Sequence, residues 1–491
     1  MGLRRASREE NGEAEPLLRR EQNEGHSAKD RGTRLRRPAV LWILIPITLL
    51  TTALGGANPS KQVLILDLVC RDYRTTHSAV DDEDICRSPA VSSRFSVFSL
   101  YIALLSGLLL IFSVPRLCTL SDRRGRRLPL MVAVAGTVAS EIIALFAATY
   151  PDTFPTILLL LGAVMEGATG SVLVTTSVAG SYIRDCTSAE ERNTAFAYLH
   201  GCLAVGLTVG PSLAGLAVEK TGTIAVVFYM LVGIHSFVFL FLGLLVPESL
   251  PAEKRLERNA ESTQEPGSAR GFSLKPFSDS PLLRRNILCL AIIDAIVFGV
   301  GLGSASIVPY TNLMFGWKSV ELGHMMTVSH GTGILANFLL LPLLSYLFRT
   351  KSSASPCTVF DVVLIRSMLL VTAIGHMGHA VSPTGTFILL SSAVVWLGSI
   401  AAPVVQSSLT KHVSAEKTGA LLGVIGQLHA CGRILFPVIF NGIYSITVGD
   451  APWLVFVLLS VVLVLGIGVS LWIWTGHPEE QADEERQVDD E

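Results

Sequence analysis

Charged residues are scarce in this chain of 491 residues. Asp, Glu, Lys and Arg together account for only 16% of it, whereas 50% of the residues are hydrophobic. In a soluble globular domain about a quarter of the residues are usually charged. A soluble protein of this length would have to leave much of its apolar side chains in contact with water, because burial is limited by the ratio of surface to volume. The composition therefore argues against a soluble protein and predicts one that lies in a lipid bilayer.

Sequence patterns that indicate enzymatic chemistry are also absent. The chain contains no Walker-type phosphate loop, no Gly-x-Ser-x-Gly turn and no His-Glu-x-x-His metal site. Its eight cysteines have no Cys-x-x-Cys or zinc-type spacing, and no basic nucleic-acid surface is evident. The sequence therefore predicts no enzyme, no cofactor, no metal site and no nucleic-acid partner. A cleavable signal peptide is not expected, because the first apolar run begins only near Pro38.

The chain instead contains a series of long apolar runs. An α-helix needs roughly 20 apolar residues to cross a bilayer, and twelve runs meet that length within a few residues. They predict an all-α polytopic membrane protein with twelve transmembrane helices. The predicted spans are residues 39–58, 95–114, 128–149, 156–179, 195–218, 223–245, 286–309, 323–348, 359–381, 385–406, 418–441 and 452–475.

These runs divide into two sets of six. Residues 39–247 and 286–475 are predicted to form two six-helix bundles, joined by the polar linker 248–285. The tails are residues 1–38, expected to be disordered, and the acidic residues 476–491. Two halves with equal numbers of helices are a common plan of secondary transporters, which bind their substrate near the midplane between the halves.

Lysine and arginine are concentrated in alternate loops. One side of the predicted membrane domain holds most of them, whereas the opposite loops are short and poor in positive charge except for residues 70–94, whose arginines are offset by acidic residues. The positive-inside rule assigns the basic loops to the cytoplasm. Both termini are therefore predicted to be cytoplasmic, which agrees with an even number of spans.

The basic loop after the second run carries a specific pattern. It reads Cys118-Thr-Leu-Ser-Asp-Arg-Arg-Gly-Arg-Arg127 and resembles the G-x-L-x-D-R-x-G-R-R loop of the major facilitator superfamily, departing at the opening glycine, where this chain has Cys118. The resemblance implies a fold of two six-helix bundles and transport by alternating access. It also implies that this loop latches the two halves in the outward-facing state. The residues assigned to this switch are Asp122, Arg123, Gly125, Arg126 and Arg127.

The fifth run carries a second pattern, Gly206-x-x-x-Gly210-Pro211 followed by Gly215, which resembles the antiporter motif of the same superfamily. Small residues four apart also allow two helices to pack closely, so packing and antiport remain alternative interpretations. Several shorter patterns resemble the tetracycline-resistance and proton-coupled folate transporter branch of the superfamily, particularly its fungal members. They include Asp185, Glu191, Arg192, Val246, Glu248, Ser249, Gly419 and Gly423.

Ionisable residues within the spans are costly in a membrane, so each must be paired or functional. Glu166 lies near the middle of the fourth run, and Gly162 and Gly170 flank it one turn away on either side. Its carboxyl group is predicted to carry a coupling proton. Arg433 in the eleventh run is predicted to clamp an anionic group of a substrate or to neutralise Glu166 or Glu141. A packed structural role is the alternative for Glu166 and Arg433, and it is favoured for Glu141.

Two further membrane charges belong to the second half. Asp294 is expected to form a structural ion pair with Arg366, and Asp294 and His429 are kept as further candidates for coupling or substrate binding. In the first half, the polar stretch from Asn58 through Pro59 to Lys61 is expected to break the first run. Broken helices are where transporters often bind their substrates.

Two features bear on the compartment. Cys70 and Cys86 lie in the one long polar loop on the predicted non-cytoplasmic side, and they are expected to form a disulfide. The segment Glu13-Ala-Glu-Pro-Leu17-Leu18 resembles an acidic dileucine sorting signal. The plasma membrane and an acidic internal membrane of the vacuolar or lysosomal type therefore remain alternatives.

The sequence as a whole predicts a secondary active transporter of a small organic solute. Protons are the expected coupling ion, the lipid bilayer is its environment, and the protein is expected to be monomeric. Import and export remain alternatives. The alternative function is a receptor or scaffold that has kept the fold without transport.

Overall fold

The computed structural model describes residues 38–77, 89–250, 281–317, 319–348, 359–414 and 417–475. These residues form twelve helical spans and, within those ranges, no β-strand. Eleven spans are long and apolar enough to cross a membrane, and the twelfth is a shorter apolar helix. The predicted all-α fold with twelve spans is confirmed.

The first half contains the helices α1 to α6. The fourth of them consists of a 3₁₀ turn and two helical segments. The bounds are α1 Val40–His77, α2 Pro89–Arg124, α3 Arg127–Thr149, α4 Thr156–Leu158 with Leu159–Thr169 and Ser171–Cys186, α5 Arg192–Thr221 and α6 Ala225–Leu244.

The second half contains the helices α7 to α12, of which three are interrupted by a 3₁₀ or π turn. The bounds are α7 Pro281–Gly303 with Ser304–Ser306 and Ile307–Phe315, α8 Ser319–Leu335 with Ala336–Leu340 and Leu341–Leu347, α9 Val359–Ala380, α10 Gly385–Leu397 with Gly398–Ile400 and Ala401–Lys411, α11 Thr418–Thr447 and α12 Leu454–Ser470.

Helix α1 corrects one prediction. Asn58, Pro59 and Lys61 do not break the first run, because α1 continues as one helix of 38 residues with Pro46 and Pro59 inside it. A proline removes its own backbone donor, and a helix enclosed by other helices tolerates that loss. At 1.5 Å per residue α1 is about 57 Å long, so it extends well beyond a hydrocarbon core of about 30 Å.

Interruptions occur instead in α4, α7, α8 and α10, and all of these except α8 begin a group of three helices. In α4 the backbone turns at Gly170, with a φ of +82°, and at Ser171, with a φ of +42°. Helices α7 and α10 contain the 3₁₀ turns Ser304–Ser306 and Gly398–Ile400. Discontinuous helices present free backbone groups to substrates in many transporters. A substrate site is therefore expected near these breaks, in the middle of the bundle.

Each half has its own apolar core. The first half contains one buried cluster around Val178 and Phe196, which Ala430 of α11 joins, and another around Leu68 and Phe228. The second half contains a single extensive cluster that includes Leu369, which Ala197 of α5 joins. Because each half is stabilised by its own core, the two halves can move against each other as units.

Small residues hold α1 against α5. A Cβ atom at Gly206 would overlap the side chain of Thr51, and one at Gly210 would overlap the carbonyl oxygen of Thr52. A Cβ atom at Gly215, in contrast, would have nothing within 4 Å. Gly206 and Gly210 of the fifth-run motif therefore pack closely against α1, and Gly215 takes no part in this contact.

Candidate functional site

A cavity of about 340 Å³ lies in the interior of the first half, with one wall formed by α11 of the second half. Its lining is mainly apolar and includes Leu54, Ile102 and Ile143. Five ionisable side chains also line it, and they come from five different helices. They are Lys61 of α1, Glu141 of α3, Glu166 of α4, His235 of α6 and Arg433 of α11.

Lys61 is the centre of this charged group. Its Nζ atom lies 2.7 Å from Oε1 of Glu166 and 3.1 Å from Oε1 of Glu141. The Glu141 side chain is only 1% exposed, and its second oxygen, Oε2, has no hydrogen-bond partner. Lys61 and Glu166 are both 27% exposed, so they are open to the cavity. One ammonium group therefore lies between two carboxylates, which together with it carry one net negative charge when both are ionised.

The structure brings Glu166 to a cavity, as its flanking glycines indicated, but gives it a different partner. The expected neutralising group, Arg433, forms no ion pair with Glu166 or Glu141, and Lys61 takes that place. Glu141, for which a structural role was favoured, also lines the cavity. Sequence reasoning noted Lys61 only as a break in the first run. A lysine inside an apolar run requires a carboxylate partner. That requirement could have indicated from the sequence that Lys61 pairs with a membrane glutamate.

Arg433 faces the same cavity and is open to it. It forms no ion pair within 4.0 Å and no hydrogen bond with another of the residues that the structure describes, although the negative charge of Glu166 acts on it electrostatically. A guanidinium group offers five donors in a fixed plane and binds carboxylates in a bidentate manner. Arg433 is thus a donor that the protein itself leaves available in the cavity wall.

Asp294 and His429 form a separate pair that does not line the cavity. Nε2 of His429 lies 2.6 Å from Oδ2 of Asp294, and the His429 ring stacks on Phe298 with centroids 4.0 Å apart. The expected pair of Asp294 with Arg366 is wrong, because Arg366 donates from Nε and Nη2 to Oγ and the carbonyl oxygen of Ser470, at 3.0 and 2.7 Å. Arg366 turns toward α12, whereas Asp294 turns toward α11.

The loop between α2 and α3 marks one end of the bundle, called here the motif end. Asp122, in the last turn of α2, accepts hydrogen bonds from the backbone N–H groups of Gly419 and Ala420, at 2.9 and 2.6 Å. These groups belong to the first turn of α11, where backbone donors have no partner within the helix. A carboxylate of the first half therefore caps a helix of the second half.

Arg126 holds Asp122 in place. Its side chain is fully buried and donates to Asp122, to Oδ2 of Asp185 at 2.9 Å and to Oγ of Ser121 at 2.9 Å. Burial alone would lower the pKa of the Arg126 guanidinium, but the carboxylates of Asp122 and Asp185 raise it above its ordinary value. Arg126 consequently remains charged at any physiological pH.

Glu248 completes the motif end from the end of α6. Its carboxylate accepts the N–H groups of Arg126 and Arg127, at 2.8 and 3.2 Å. A Cβ atom at Gly125 would lie 2.5 Å from this carboxylate, and the φ of Gly125 is +103°, so both space and backbone conformation require glycine. Arg127 donates to the carbonyl oxygens of Leu242 and Gly243. Of the residues assigned to the switch, Arg123 alone is exposed.

Other hydrogen bonds join the two halves near the same end. Nη2 of Arg184 donates to the carbonyl oxygen of Val413 at 2.7 Å, and Nδ2 of Asn193 donates to Oδ1 of Asp361 at 2.5 Å. Lys411 bridges Asn193 and Asp361 at 3.2 and 2.8 Å. Within the described part of the chain, the hydrogen bonds between the halves all lie in the part of the bundle nearer to the motif end. The halves are closed together there.

Comparison with known proteins decides the family. The family model of the Major Facilitator Superfamily matches residues 39–365, which is most of the chain. The chain belongs to the major facilitator superfamily. Members of this superfamily are transmembrane solute transporters, so transport of a solute and a multi-pass location in a membrane follow. The resemblance inferred from the Asp122–Arg127 loop is confirmed.

Relatives of this superfamily match over most of their length. The chain is 28% identical to the MFS-type transporter avaJ of Aspergillus versicolor, over 94% of this chain and 93% of the relative. It is 27% identical to the class G tetracycline resistance protein of Vibrio anguillarum, over 71% and 81%. A solved structure, the human organic anion transporter MFSD10, is 17% identical and has a TM-score of 0.67, covering 88% of this chain and 99% of that one. That likeness shows the shared fold.

Proposed function

We propose that this member of the major facilitator superfamily is a proton-coupled secondary transporter of a small organic solute. In this proposal the cavity is the solute site, and the carboxylate of Glu166, which shares Lys61 with Glu141, exchanges the coupling proton. The observation that carries it is the position of Lys61 between these two carboxylates in the cavity wall. Ionisable groups at such depth are retained for ion pathways or substrate binding.

Proton exchange follows from the charges. Lys61 can neutralise only one of the two carboxylates, and Glu166 is the one that is open to the cavity. When the cavity opens to an acidic compartment, Glu166 can take up a proton, and Lys61 then keeps Glu141 as its partner. When the cavity opens to the other side, Glu166 loses the proton and Lys61 again lies between two charged groups. A cycle of this kind needs no further ionisable residue.

Alternating access follows from the motif end. With both termini in the cytoplasm, the motif end faces the cytoplasm, and the hydrogen bonds that Asp122 accepts from α11 hold the cavity closed on that side. The structure then represents the state that is closed to the cytoplasm. Opening to the cytoplasm requires these bonds to break while the halves close together at the opposite end.

The test uses the purified protein in sealed proteoliposomes with a panel of labelled small organic solutes and an imposed pH gradient. We expect at least one solute to be concentrated against its gradient, and we expect a protonophore to abolish that accumulation. Glu166→Gln, which mimics the protonated carboxyl group, should still allow solute exchange but not accumulation. The proposal would be abandoned if the pH gradient had no effect on any solute that crosses, or if Glu166→Gln accumulated solute normally. A protein that binds solutes without moving them would support the receptor alternative.

A further inference from the structure

The charges of the cavity and the break in α4 together indicate which solutes the cavity binds. Arg433 is a cation that faces the cavity without an ion-pair or hydrogen-bond partner among the described residues, unlike Lys61, which is held by two carboxylates. The negative charge of Glu166 acts on Arg433 electrostatically but forms no ion pair with it. The donors of the Arg433 guanidinium therefore remain available to an anionic group that enters the cavity.

The second segment of α4 presents its N-terminus to the same cavity. Gly170 ends the first segment in the left-handed conformation, and the second segment begins at Ser171 without a side-chain cap. Ser171, Val172 and Leu173 line the cavity. The first backbone N–H groups of a helix have no partner within it and carry a partial positive charge, so they attract anions.

Arg433 and this helix terminus lie at the same depth. Helices α4 and α11 run antiparallel, since α4 ends and α11 begins at the motif end, and they meet where a Cβ atom at Gly426 would lie 3.0 Å from Oγ of Ser177. From that contact, Ser171 lies six residues back along α4 and Arg433 seven residues forward along α11. At 1.5 Å per residue these are about 9 and 10 Å in the same direction. Arg433 and the N-terminus of this segment therefore lie at a similar depth in the cavity that both of them line.

The net charge of the cavity links such an anion to a proton. With both carboxylates ionised, the charges of Lys61, Arg433, Glu141 and Glu166 sum to zero. An anion adds one negative charge, and a proton on Glu166 restores neutrality. The groups that face Glu166 are Lys61 from α1, Glu141 from α3, His235 from α6 and Arg433 from α11, and the α2 residues of the lining are not ionisable. Glu141, only 1% exposed, is the less accessible carboxylate.

We infer that the cavity binds an organic monoanion with an apolar body, its charged group held by Arg433 and the N-terminus of the second segment of α4, and that one proton binds with it at Glu166. This inference rests on the proposed function, because it takes the cavity as the transport site. The apolar body is required by the apolar lining around Leu54, Ile102 and Ile143. Binding of the pair is electroneutral.

The test compares three probes of nearly the same shape: 2-naphthoate, 2-naphthamide and the cation of 2-naphthylmethylamine. Equilibrium binding to the purified full-length protein is measured near pH 5.5 and near pH 7.5, where the carboxylate probe stays ionised. We expect 2-naphthoate to bind at least about tenfold more tightly than the amide or the amine. We expect its affinity to fall as the pH rises, because its binding takes up a proton at Glu166 and protons are then less available, and we expect Glu166→Gln to remove that dependence.

Variants of Arg433 locate the anion. Arg433→Gln should weaken the binding of 2-naphthoate at least about tenfold and leave the affinity for 2-naphthamide unchanged. Arg433→Lys keeps the charge and should keep much of the preference for the carboxylate over the amide. Thermal unfolding of each variant shows whether it is folded. The inference is overturned if the amine binds as tightly as the carboxylate, if Arg433→Gln does not change their ratio, or if binding of 2-naphthoate does not depend on pH. If accumulation of a solute under a pH gradient persisted in any of these cases, the anion assignment would fail and the proposed function would stand.

Discussion

Lys61 is the residue on which the electrostatics of the cavity depend. In Lys61→Gln the two carboxylates that now share its ammonium group would lie together without a cation in contact, and Glu141 is almost completely buried. Breaking a buried ion pair by removing one partner costs about 3–5 kcal/mol, and the partial exposure of Lys61 and Glu166 places the expected loss at the lower end. The measurement is the thermal unfolding midpoint of the purified protein, which should fall clearly in Lys61→Gln.

A second substitution separates the effect of the unpaired carboxylate from the effect of losing the lysine side chain. The double variant Lys61→Gln with Glu141→Gln has no unpaired buried carboxylate at position 141 and should recover most of the lost stability. Two amides can also hydrogen-bond to each other across the same gap. Equal stability of Lys61→Gln and the unaltered protein would show that these charges are not coupled in solution.

Cys70 is the other residue whose chemistry can be tested directly. It takes part in a disulfide bond, whereas Cys118, Cys186, Cys202, Cys289 and Cys431 are free. Its predicted partner, Cys86, lies outside the described residues, so the pairing remains a prediction. A disulfide between residues 70 and 86 should stabilise the folded protein by about 3 kcal/mol. Mass spectrometry of peptides from unreduced protein should find residues 70 and 86 cross-linked. Recovery of Cys86 as a free thiol would contradict the pairing.

At the scale of helices, the contact between α1 and α5 is the most sharply defined. Gly210→Val places side-chain atoms where the carbonyl oxygen of Thr52 now lies, so the two helices must separate. Overpacking a tight contact typically costs about 1–3 kcal/mol and more where backbone is in the way. Gly215→Val is a matched control in the same helix, because a Cβ atom there meets nothing within 4 Å. We expect Gly210→Val to reduce the yield of folded protein and its thermal midpoint, and Gly215→Val to change neither. Equal behaviour of the two variants would refute the packing assignment.

The helices themselves were predictable because the bilayer dictates them. A run of roughly 20 apolar residues has few alternatives to a spanning helix, and all twelve predicted runs are helical in the structure. The ends were less predictable: α1 continues to His77 and α2 reaches from Pro89 to Arg124. Polar residues at these ends continue the helix outside the apolar run. Hydropathy predicts only the apolar part of a helix and therefore not these ends.

The partners of the charged residues could not be predicted from spacing. The sequence identified Glu166 and Arg433 as functional candidates, and both line the cavity. It did not reveal that Lys61 joins Glu166 to Glu141, or that Asp294 pairs with His429 and not Arg366. Which side chain meets which depends on the rotation of each helix about its axis, and a nearly uniform apolar run leaves that rotation undetermined. The prediction of a break at Pro59 was wrong for a related reason, since tertiary packing compensates for the lost backbone bond.

At the scale of the whole molecule, α11 connects the features that lie far apart. Its first turn is capped by Asp122, and Gly426 lies against α4. Further along, His429 pairs with Asp294 and Arg433 faces the cavity. Movement of the second half away from the first at the motif end must therefore shift Arg433 relative to α4. This connection links opening at the motif end to the position of Arg433 in the cavity wall.

Asp122 is the point at which that movement can be biased. In Asp122→Asn the charge that binds Arg126 and the first turn of α11 is lost. Hydrogen bonds to charged groups contribute about 1.5–3 kcal/mol each, so loss of one shifts the balance between closed and open states by about tenfold or more. We expect the variant to open more often at the motif end, to transport slowly and to keep nearly normal affinity for solute.

Cys118 offers a native reporter for this opening. The Cys118 side chain is fully buried. A Cβ atom added at Gly423 of α11 would lie 2.7 Å from the Cβ atom of Cys118. The Cys118 thiol is therefore covered as long as α2 and α11 stay together. The experiment uses a protein in which the other cysteines apart from 70 and 86 are replaced by alanine. A membrane-impermeant maleimide added on the cytoplasmic side should label Cys118 about tenfold faster in Asp122→Asn. Arg123→Gln, which removes an exposed charge from the same loop, should leave the rate unchanged. Equal labelling in all three proteins would mean that Asp122 does not hold the motif end closed, and labelling only from the opposite side would reverse the proposed orientation.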